Sequence, residues 1–419
     1  MSSLIIEGGN KLNGEVVVSG SKNAALPILA TAILNPNKVT FYNVPDIEDV
    51  RTTLLILKSL GCQIDRKCDK IAICSEKMRK TEIPNELMKK ARSTVILAGA
   101  LIGRYNKATF YIPGGCNIGK RPIDIHLEAF KELGIDVNYD KNKIECNAKK
   151  IHSNKIYLKI PSVGATENII LASIFVNGTT YIHNAAMEPE IKDLATCLNK
   201  MGAKIYGAGT NKIVIVGVKK LYSTSYRIMP DRIEAGTYLA AAAITKGKIK
   251  LVNVNVLDMM EVLYKFKQIG CKISFNNNEI KLEAGRKLKN TNIITNPYPG
   301  FPTDLQSIIS AVLTKSEGRS IIIETIFENR FEYCKELKKM GAKIELLDKN
   351  KIKITGNSDL IGTEVESTDL RGDASIIVAA LAAKGKTKIS GTKNLERGYE
   401  NIDQKLNNIG AKVKFVNNY

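Results

Sequence analysis

The octapeptide LKSLGCQI at residues 57–64 recurs as FKELGIDV (130–137), LNKMGAKI (198–205), FKQIGCKI (266–273), LKKMGAKI (337–344) and LNNIGAKV (406–413). The shared glycines, Gly61, Gly134, Gly202, Gly270, Gly341 and Gly410, stand 73, 68, 68, 71 and 69 residues apart. Six copies at nearly constant spacing are the signature of a repeat architecture. Each copy reads as the end of an amphipathic helix, a glycine stop, and the start of an alternating strand. Glycine suits the left-handed cap that such a turn requires. Upstream of each copy runs an apolar, alanine-rich segment and then a strand. Examples are AALPILATAIL before KVTFYNV, GTYLAAAAIT before KIKLVNV, and ASIIVAALAA before KTKIS. One unit is therefore strand, small-residue helix, strand, longer helix and closing hairpin, with the small-residue helix buried on most sides. Cys62 and Cys271 fill the slot held by Ala203, Ala342 and Ala411 in sister units, which marks them as core fillers.

Six units of about seventy residues exceed one comfortable core, so the α/β chain divides three plus three. The sequence places one domain at 22–229 and the other at 1–21 plus 230–419. The leading strands, from SLIIEGG through VVVSG, have no obvious partner.

Composition narrows the function classes. The 419 residues are 44% hydrophobic and 25% charged, ordinary for a globular chain of two or three domains. No run of eighteen apolar residues and no basic, apolar leader is present, so a cytoplasmic protein without membrane contact is expected. The net charge of +20 invites a nucleic-acid partner. However, only 13 of the 62 basic residues are arginines and the lysines are scattered. Only 6% of residues are aromatic, with no aromatic–basic interleaving along the chain. A solvated lysine surface and no nucleic-acid partner follow. Eight cysteines form no CxxC pair and there are three histidines, so neither a metal site nor a disulfide framework is expected.

Chemistry concentrates in the polar loops that precede the small-residue helices: SKN at 21–23, ARST at 91–94, PSVGATE at 161–167, PDRIEAG at 230–236, FPTD at 301–304 and DLRGDAS at 369–375. Helix N-termini attract anions. Arg92, Arg121, Arg232, Arg330, Arg371 and Arg397 lie in or beside such loops, and arginine in a lysine-biased chain points to bidentate recognition of an anionic ligand. The segment YIPGGCNIGKRPIDIH at 111–126 contains G-x-x-x-x-G-K, but Arg121 stands where a phosphate-binding loop needs Ser or Thr. A nucleoside-triphosphatase is thereby excluded. What remains is a glycine-hinged loop that presents Cys116 beside Lys120 and Arg121, cations that favour a thiolate. Asp304 is either a helix N-cap or a general base. His126, His152 and His183 form no nucleophile–base pattern.

The motifs SGSKNAALP (19–27), PGGCNIGKRPIDIHL (113–127), PSVGATEN (161–168), DRIEAGTY (231–238), GFPTDLQ (300–306), ENRF (328–331), TDLRG (368–372) and ERGYENI (396–402) together resemble the UDP-N-acetylglucosamine enolpyruvyl (1-carboxyvinyl) transferases over essentially the whole chain. The resemblance implies two inverse α/β domains of three repeats each, with substrates taken up between them. It implies transfer of the enolpyruvyl unit of phosphoenolpyruvate to the sugar 3-hydroxyl with release of phosphate, the first committed step of peptidoglycan synthesis. No cofactor or metal is implied, although the family can carry a pyruvate-derived adduct on the loop cysteine, here Cys116.

By position, Cys116, Asp304, Lys22 and Arg397 would be catalytic, with Cys116 protonating C3 or forming the adduct and Asp304 acting as base. Lys22, Asn23, Arg121 and Arg397 would hold phosphoenolpyruvate. Asn23, Arg92, Arg121, Pro122, Ile123, Asp124, Ile125, Ser162, Val163, Gly164, Asp304 and Ile326 would hold the UDP-sugar, while Arg330, Asp369 and Arg371 would serve closure. The epoxide fosfomycin would alkylate Cys116. Two alternatives remain at this point: a related enzyme acting on shikimate 3-phosphate, and a basic nucleic-acid-binding repeat protein.

Overall fold

The computed structural model describes residues 2–112 and 123–417, so the 113–122 part of the cysteine loop, with Cys116, Arg121 and Pro122, lies outside the described residues. The described chain forms two compact units. Among the described residues, the first comprises 20–112 with 123–229 and the second 2–19 with 230–417. The chain passes between them after Ser19 and after Met229, the former two residues ahead of the position drawn from sequence.

Each unit carries three sheets, and the third sheet of the first unit gives the pattern. Strand Lys155–Tyr157 leads through helix Val163–Ser173 to the parallel strand Thr179–His183. Helix Pro189–Lys200 then leads to the antiparallel hairpin of Lys204–Tyr206 and Lys212–Val216. The last strand inserts beside Thr179–His183. Parallel neighbours need a helical crossover, whereas antiparallel ones accept a tight turn, so one unit uses both connections.

The other sheets depart from this pattern in instructive ways. In the second repeat the leading strand has shrunk to a single bridge between Glu82 and Thr109, which leaves a three-stranded sheet. In the first repeat the parallel edge comes from Ser225–Arg227, at the far end of the same unit. The partnerless leading strands of the chain serve two different sheets. Ser2–Glu7 lies between Lys386–Ser390 and Lys412–Asn417, and Asn13–Val17 runs parallel to Lys248–Val252.

Two separate hydrophobic cores result, one per unit. At their centres stand the small-residue helices: Lys22–Ala30, Ile96–Tyr105 and Val163–Ser173 in the first unit, and Arg232–Ile244, Thr303–Leu313 and Leu370–Ala382 in the second. In the second unit each of these three touches the other two. Residues Ile233 to Ile244 are all buried, so small side chains are a steric necessity there. In the first unit, a Cβ added at Gly99 would lie 2.5 Å from the Asn168 carbonyl oxygen, and one at Gly103 would lie 2.5 Å from that of Leu171. The outer, amphipathic helices end at the repeat glycines, which take φ of +109°, +79°, +102°, +99°, +95° and +100° in chain order. The helix-stop reading of the octapeptide thus corresponds to a left-handed residue in all six copies.

At Gly410 the backbone is the whole constraint, because an added Cβ would meet only the Lys11 carbonyl oxygen at 3.5 Å. At Gly341 it would also crowd the Asp359 carbonyl oxygen at 2.7 Å. In urea unfolding, Gly410→Ala is expected to cost about 1–2 kcal/mol, the price of a left-handed L-residue. Gly341→Ala should cost more, and equal losses would contradict the steric distinction.

Candidate active site

The loops in front of the buried helices present their side chains at helix N-termini. In the first unit Ser21 caps helix Lys22–Ala30, its hydroxyl accepting from the Ala24 N–H at 3.3 Å. This places Lys22 and Asn23 in the first turn. The Lys22 ammonium lies 2.8 Å from the Asp49 carboxylate, which is buried at the start of helix Glu48–Leu60. Arg92 opens the 3-10 turn Arg92–Val95 that leads into the second buried helix. Ser162 caps the third, accepting from Ala165 at 3.4 Å, so that Val163 and Gly164 begin it.

Ile123 precedes and Asp124 and Ile125 begin helix Asp124–Glu132, which packs against the third buried helix. Asn168 joins the two. Its carbonyl accepts from the Gly99 N–H at 2.8 Å, and its amide donates to the Val95 carbonyl at 3.3 Å and to His126 Nδ1 at 2.8 Å. Because the Gly99 N–H can only donate, the amide orientation is fixed, and the imidazole must accept at Nδ1. Gly164 leaves room for that ring, since a Cβ there would sit 2.9 Å from His126 Cε1. The expected sugar-nucleotide residues at 123–125 and 162–164 are therefore neighbours in the first unit. Sequence inspection did not identify Asn168 or Asp49, for neither stands out until the helices are packed.

In the second unit Asp304 is not an N-cap. Pro302 holds that position in helix Thr303–Leu313, and Asp304 stands in the first turn. Its two carboxylate oxygens accept separately, one from Arg330 Nη2 at 3.0 Å and the other from Arg371 Nη2 at 3.1 Å. Arg330 also lies 3.6 Å from Asp369, which caps helix Leu370–Ala382 through the Arg371 and Gly372 N–H groups. The arginine side chains are 3% and 4% exposed and that of Asp304 is 28% exposed, so the cations are more deeply buried than the carboxylate they hold. Each guanidinium also rests over an aromatic ring, Arg330 on Phe327 and Arg371 on Tyr399. Breaking a buried ion pair by removing one partner typically costs about 3–5 kcal/mol, so this cluster holds its geometry firmly.

Ile326 and Asp304 are tied by a residue that sequence inspection also missed. Buried Glu324 accepts from the Ile326 and Phe327 N–H groups at 2.9 and 3.2 Å, and from the Thr303 hydroxyl at 2.9 Å. Arg397 closes the 3-10 turn Thr392–Arg397 in the same unit. Arg232 lies over the Tyr298 ring.

Thiol chemistry is narrowed by burial. Desolvation pushes Cys62, Cys146, Cys197, Cys271 and Cys334 up to about 12, which leaves these five protonated and unreactive at neutral pH. No group of three His, Cys, Asp or Glu side chains among the described residues could hold a metal ion. Likewise, no described helix is long and apolar enough to cross a membrane.

Asp373, one turn into the helix capped by Asp369, supports the loop that delivers that cap. Its carboxylate accepts from the Ser367 hydroxyl at 2.6 Å and the Thr368 N–H at 2.7 Å. Burial pushes its pKa from 3.8 up to about 7; the two hydrogen bonds oppose the shift and Asp369 adds to it. The folded state therefore holds a proton that the unfolded chain releases between about pH 4 and 7, so this group's contribution to stability falls as pH rises through that window. Asp373→Asn should remove the dependence. Relative to wild type, the variant should gain about 2–4 kcal/mol in urea unfolding between pH 5 and pH 8, and a constant difference would refute the assignment.

Comparison with known proteins gives the family. Residues 6–406 match the EPSP synthase (3-phosphoshikimate 1-carboxyvinyltransferase) family. The chain is 45% identical over 414 residues to UDP-N-acetylglucosamine 1-carboxyvinyltransferase 2 of Caldanaerobacter subterraneus subsp. tengcongensis, covering 99% of each chain. It is also 45% identical over 415 residues to the protein of the same name in Clostridium tetani, again covering 99% of each. The crystal structure of the enolpyruvyl transferase NikO from Streptomyces tendae shares the fold with a TM-score of 0.90 at 22% identity, over 99% of this chain and 98% of that one. Full-length identity at this level separates the acceptor-specific branches that the broader family match leaves together. The chain belongs to the enolpyruvyl transferase family and, within it, to the UDP-N-acetylglucosamine 1-carboxyvinyltransferases.

Proposed function

We propose that the protein transfers the enolpyruvyl group of phosphoenolpyruvate to the 3-hydroxyl of UDP-N-acetylglucosamine and releases phosphate, a cytoplasmic step that commits carbon to peptidoglycan. The observation that carries the acceptor assignment is the full-length 45% identity to enzymes bearing that name. The rival acceptor, shikimate 3-phosphate, has the broader family match and a shared fold at 19% identity in its favour, neither of which specifies the acceptor.

The reaction is an addition followed by an elimination. The sugar oxygen bonds to C2 of phosphoenolpyruvate while C3 gains a proton, giving a tetrahedral centre. C3 then loses a proton, the C2–O bond to phosphate breaks, and the enol ether forms. Asp304 takes the hydroxyl proton. The two arginines that grip its separate oxygens fix the direction of the carboxylate, as a positioned base requires. Lys22 and Asn23, in the first turn of a buried helix, suit the phosphate and carboxylate of phosphoenolpyruvate, with Arg121 and Arg397 as further cations. Ile123 to Ile125 and Ser162 to Gly164, drawn together through Asn168 and His126, suit the sugar nucleotide, with Arg92, Arg121, Pro122, Asp304 and Ile326. Cys116, in its glycine-flanked loop, supplies the proton at C3. Its thiolate is the group that a pyruvate-derived adduct or the epoxide of fosfomycin would modify. Arg330, Asp369 and Arg371 hold the Asp304 carboxylate in place.

Phosphate release should be measured with UDP-N-acetylglucosamine and, separately, with shikimate 3-phosphate. Release is expected only with the sugar nucleotide, and Cys116→Ala should lower it by at least about a hundredfold if the thiol is the acid. Fosfomycin should add one equivalent of mass to wild type and none to the variant. Release with shikimate 3-phosphate alone would overturn the acceptor, and an unimpaired variant would overturn the role of Cys116.

A further inference from the structure

Aromatic and basic side chains that are far apart along the chain meet on the outer face of one sheet. In the third sheet of the first unit, Ile156, Thr180, Ile182, Ile205, Ile213 and Ile215 point into the core. The alternating positions face outward: Lys155, Tyr157, Thr179, Tyr181, His183, Lys204, Tyr206, Lys212, Val214 and Val216. Register places Tyr157 opposite His183 and His183 opposite Lys212 in one row. In the next row Lys155 stands opposite Tyr181, Tyr181 opposite Val214 and Val214 opposite Tyr206.

The rings form a stack. Tyr157 and His183 lie 4.4 Å apart and within 5° of parallel, and Tyr181, in the next row, lies 6.5 Å from His183 along the same strand. The Lys212 ammonium lies 5.5 Å from the centre of the Tyr181 ring. Tyr157 sits on an edge strand and is 65% exposed although one ring face is covered by His183, so its opposite face is open.

Charge sets this face apart. The other five sheets all carry carboxylates on their outward positions, and most of these are paired with neighbouring lysines. Examples are Glu7 with Lys412, Glu364 with Lys388, Glu15 and Glu279 with Lys250, Glu345 with Lys353 and Glu145 with Lys143. The first sheet carries exposed Asp65. The outward positions of the 155–216 sheet hold three lysines and, among the described residues, no carboxylate. The aromatic–basic interleaving missing along the sequence is thus present across the strands.

We propose that this face binds single-stranded nucleic acid, with a base continuing the stack on the open side of Tyr157 and the lysines meeting phosphates. The open ring favours this occupant over an acidic peptide, because lysines alone would satisfy carboxylates whereas a planar ring face matches a base. Net charge of +20 draws a polyanion to the whole surface, so the test must separate this face from the rest.

The full chain should be titrated into a fluorescein-labelled single-stranded oligoribonucleotide of about twelve nucleotides, with anisotropy as readout. Binding should weaken with salt. Tyr157→Ala/Tyr181→Ala should weaken it about tenfold or more. Replacing Lys155, Lys204 and Lys212 by alanine should lower the slope of log affinity against log salt by about two. Circular dichroism melts and phosphate release at the wild-type rate would establish that the variants are folded. Three results would overturn the proposal: no binding at low salt, equal binding by wild type and both variants, or tighter binding of a polyglutamate peptide through the same tyrosines.

Discussion

Six helices of this chain are enclosed by sheets and by one another, and an enclosed helix can meet solvent only at its ends. That constraint organises the rest of the molecule. It demands small side chains along the helices, as at Gly99 and Gly103, where a single added carbon would strike a neighbouring backbone. It also places most of the proposed substrate-facing groups of those segments in their first turns and the loops before them, while polar groups farther along, such as Asn168, bond within the core. Lys22, Asn23, Ser162, Val163, Gly164, Asp304, Asp369 and Arg371 all stand there. A helix N-terminus carries partial positive charge, so a fold that opens only at such ends is suited to phosphorylated and carboxylated substrates.

The same constraint explains why ions can be buried here. Arg330 and Arg371 are nearly inaccessible, yet Asp304 receives each on a separate oxygen and Asp369 reinforces the first. Charges taken from water need matched partners in fixed places, and the first turns of rigid helices supply them. Asp373 and Glu324 form the next layer. One holds the loop in front of Asp369, and the other fastens Ile326 to the start of the Asp304 helix. What the arginines contribute to the base role proposed for Asp304 is orientation, because a carboxylate held on both oxygens keeps one direction whereas a free surface aspartate does not.

Much of this was legible in the sequence, for reasons that are local. A glycine at +100° follows from steric exclusion of other residues, so its recurrence revealed the repeat length. Alanine-rich runs announced enclosed helices, and polar loops before them announced where chemistry could reach solvent. What stayed hidden depends on long-range pairing. Strand Ser2–Glu7 finds its neighbours nearly four hundred residues away, and no local pattern encodes that register. Asp304 looked like a candidate cap because Asp in a first turn looks alike whether it caps or pairs, and only the packed position of Arg330 and Arg371 distinguishes the two. The stack of Tyr157, His183 and Tyr181 escaped for the same reason, since strands 155–157 and 179–183 become neighbours only through a helical crossover.

Enolpyruvyl transfer differs from phosphoryl transfer in which bond breaks, and that difference tests the chemistry ascribed to Asp304, Cys116 and the surrounding cations. Phosphoenolpyruvate labelled with oxygen-18 at the bridging position should be turned over with UDP-N-acetylglucosamine, and the products analysed by mass spectrometry. Addition and elimination at C2 predict that the label leaves entirely with inorganic phosphate. Label retained in the three-carbon unit would mean that the phosphorus–oxygen bond had broken, and would contradict the account.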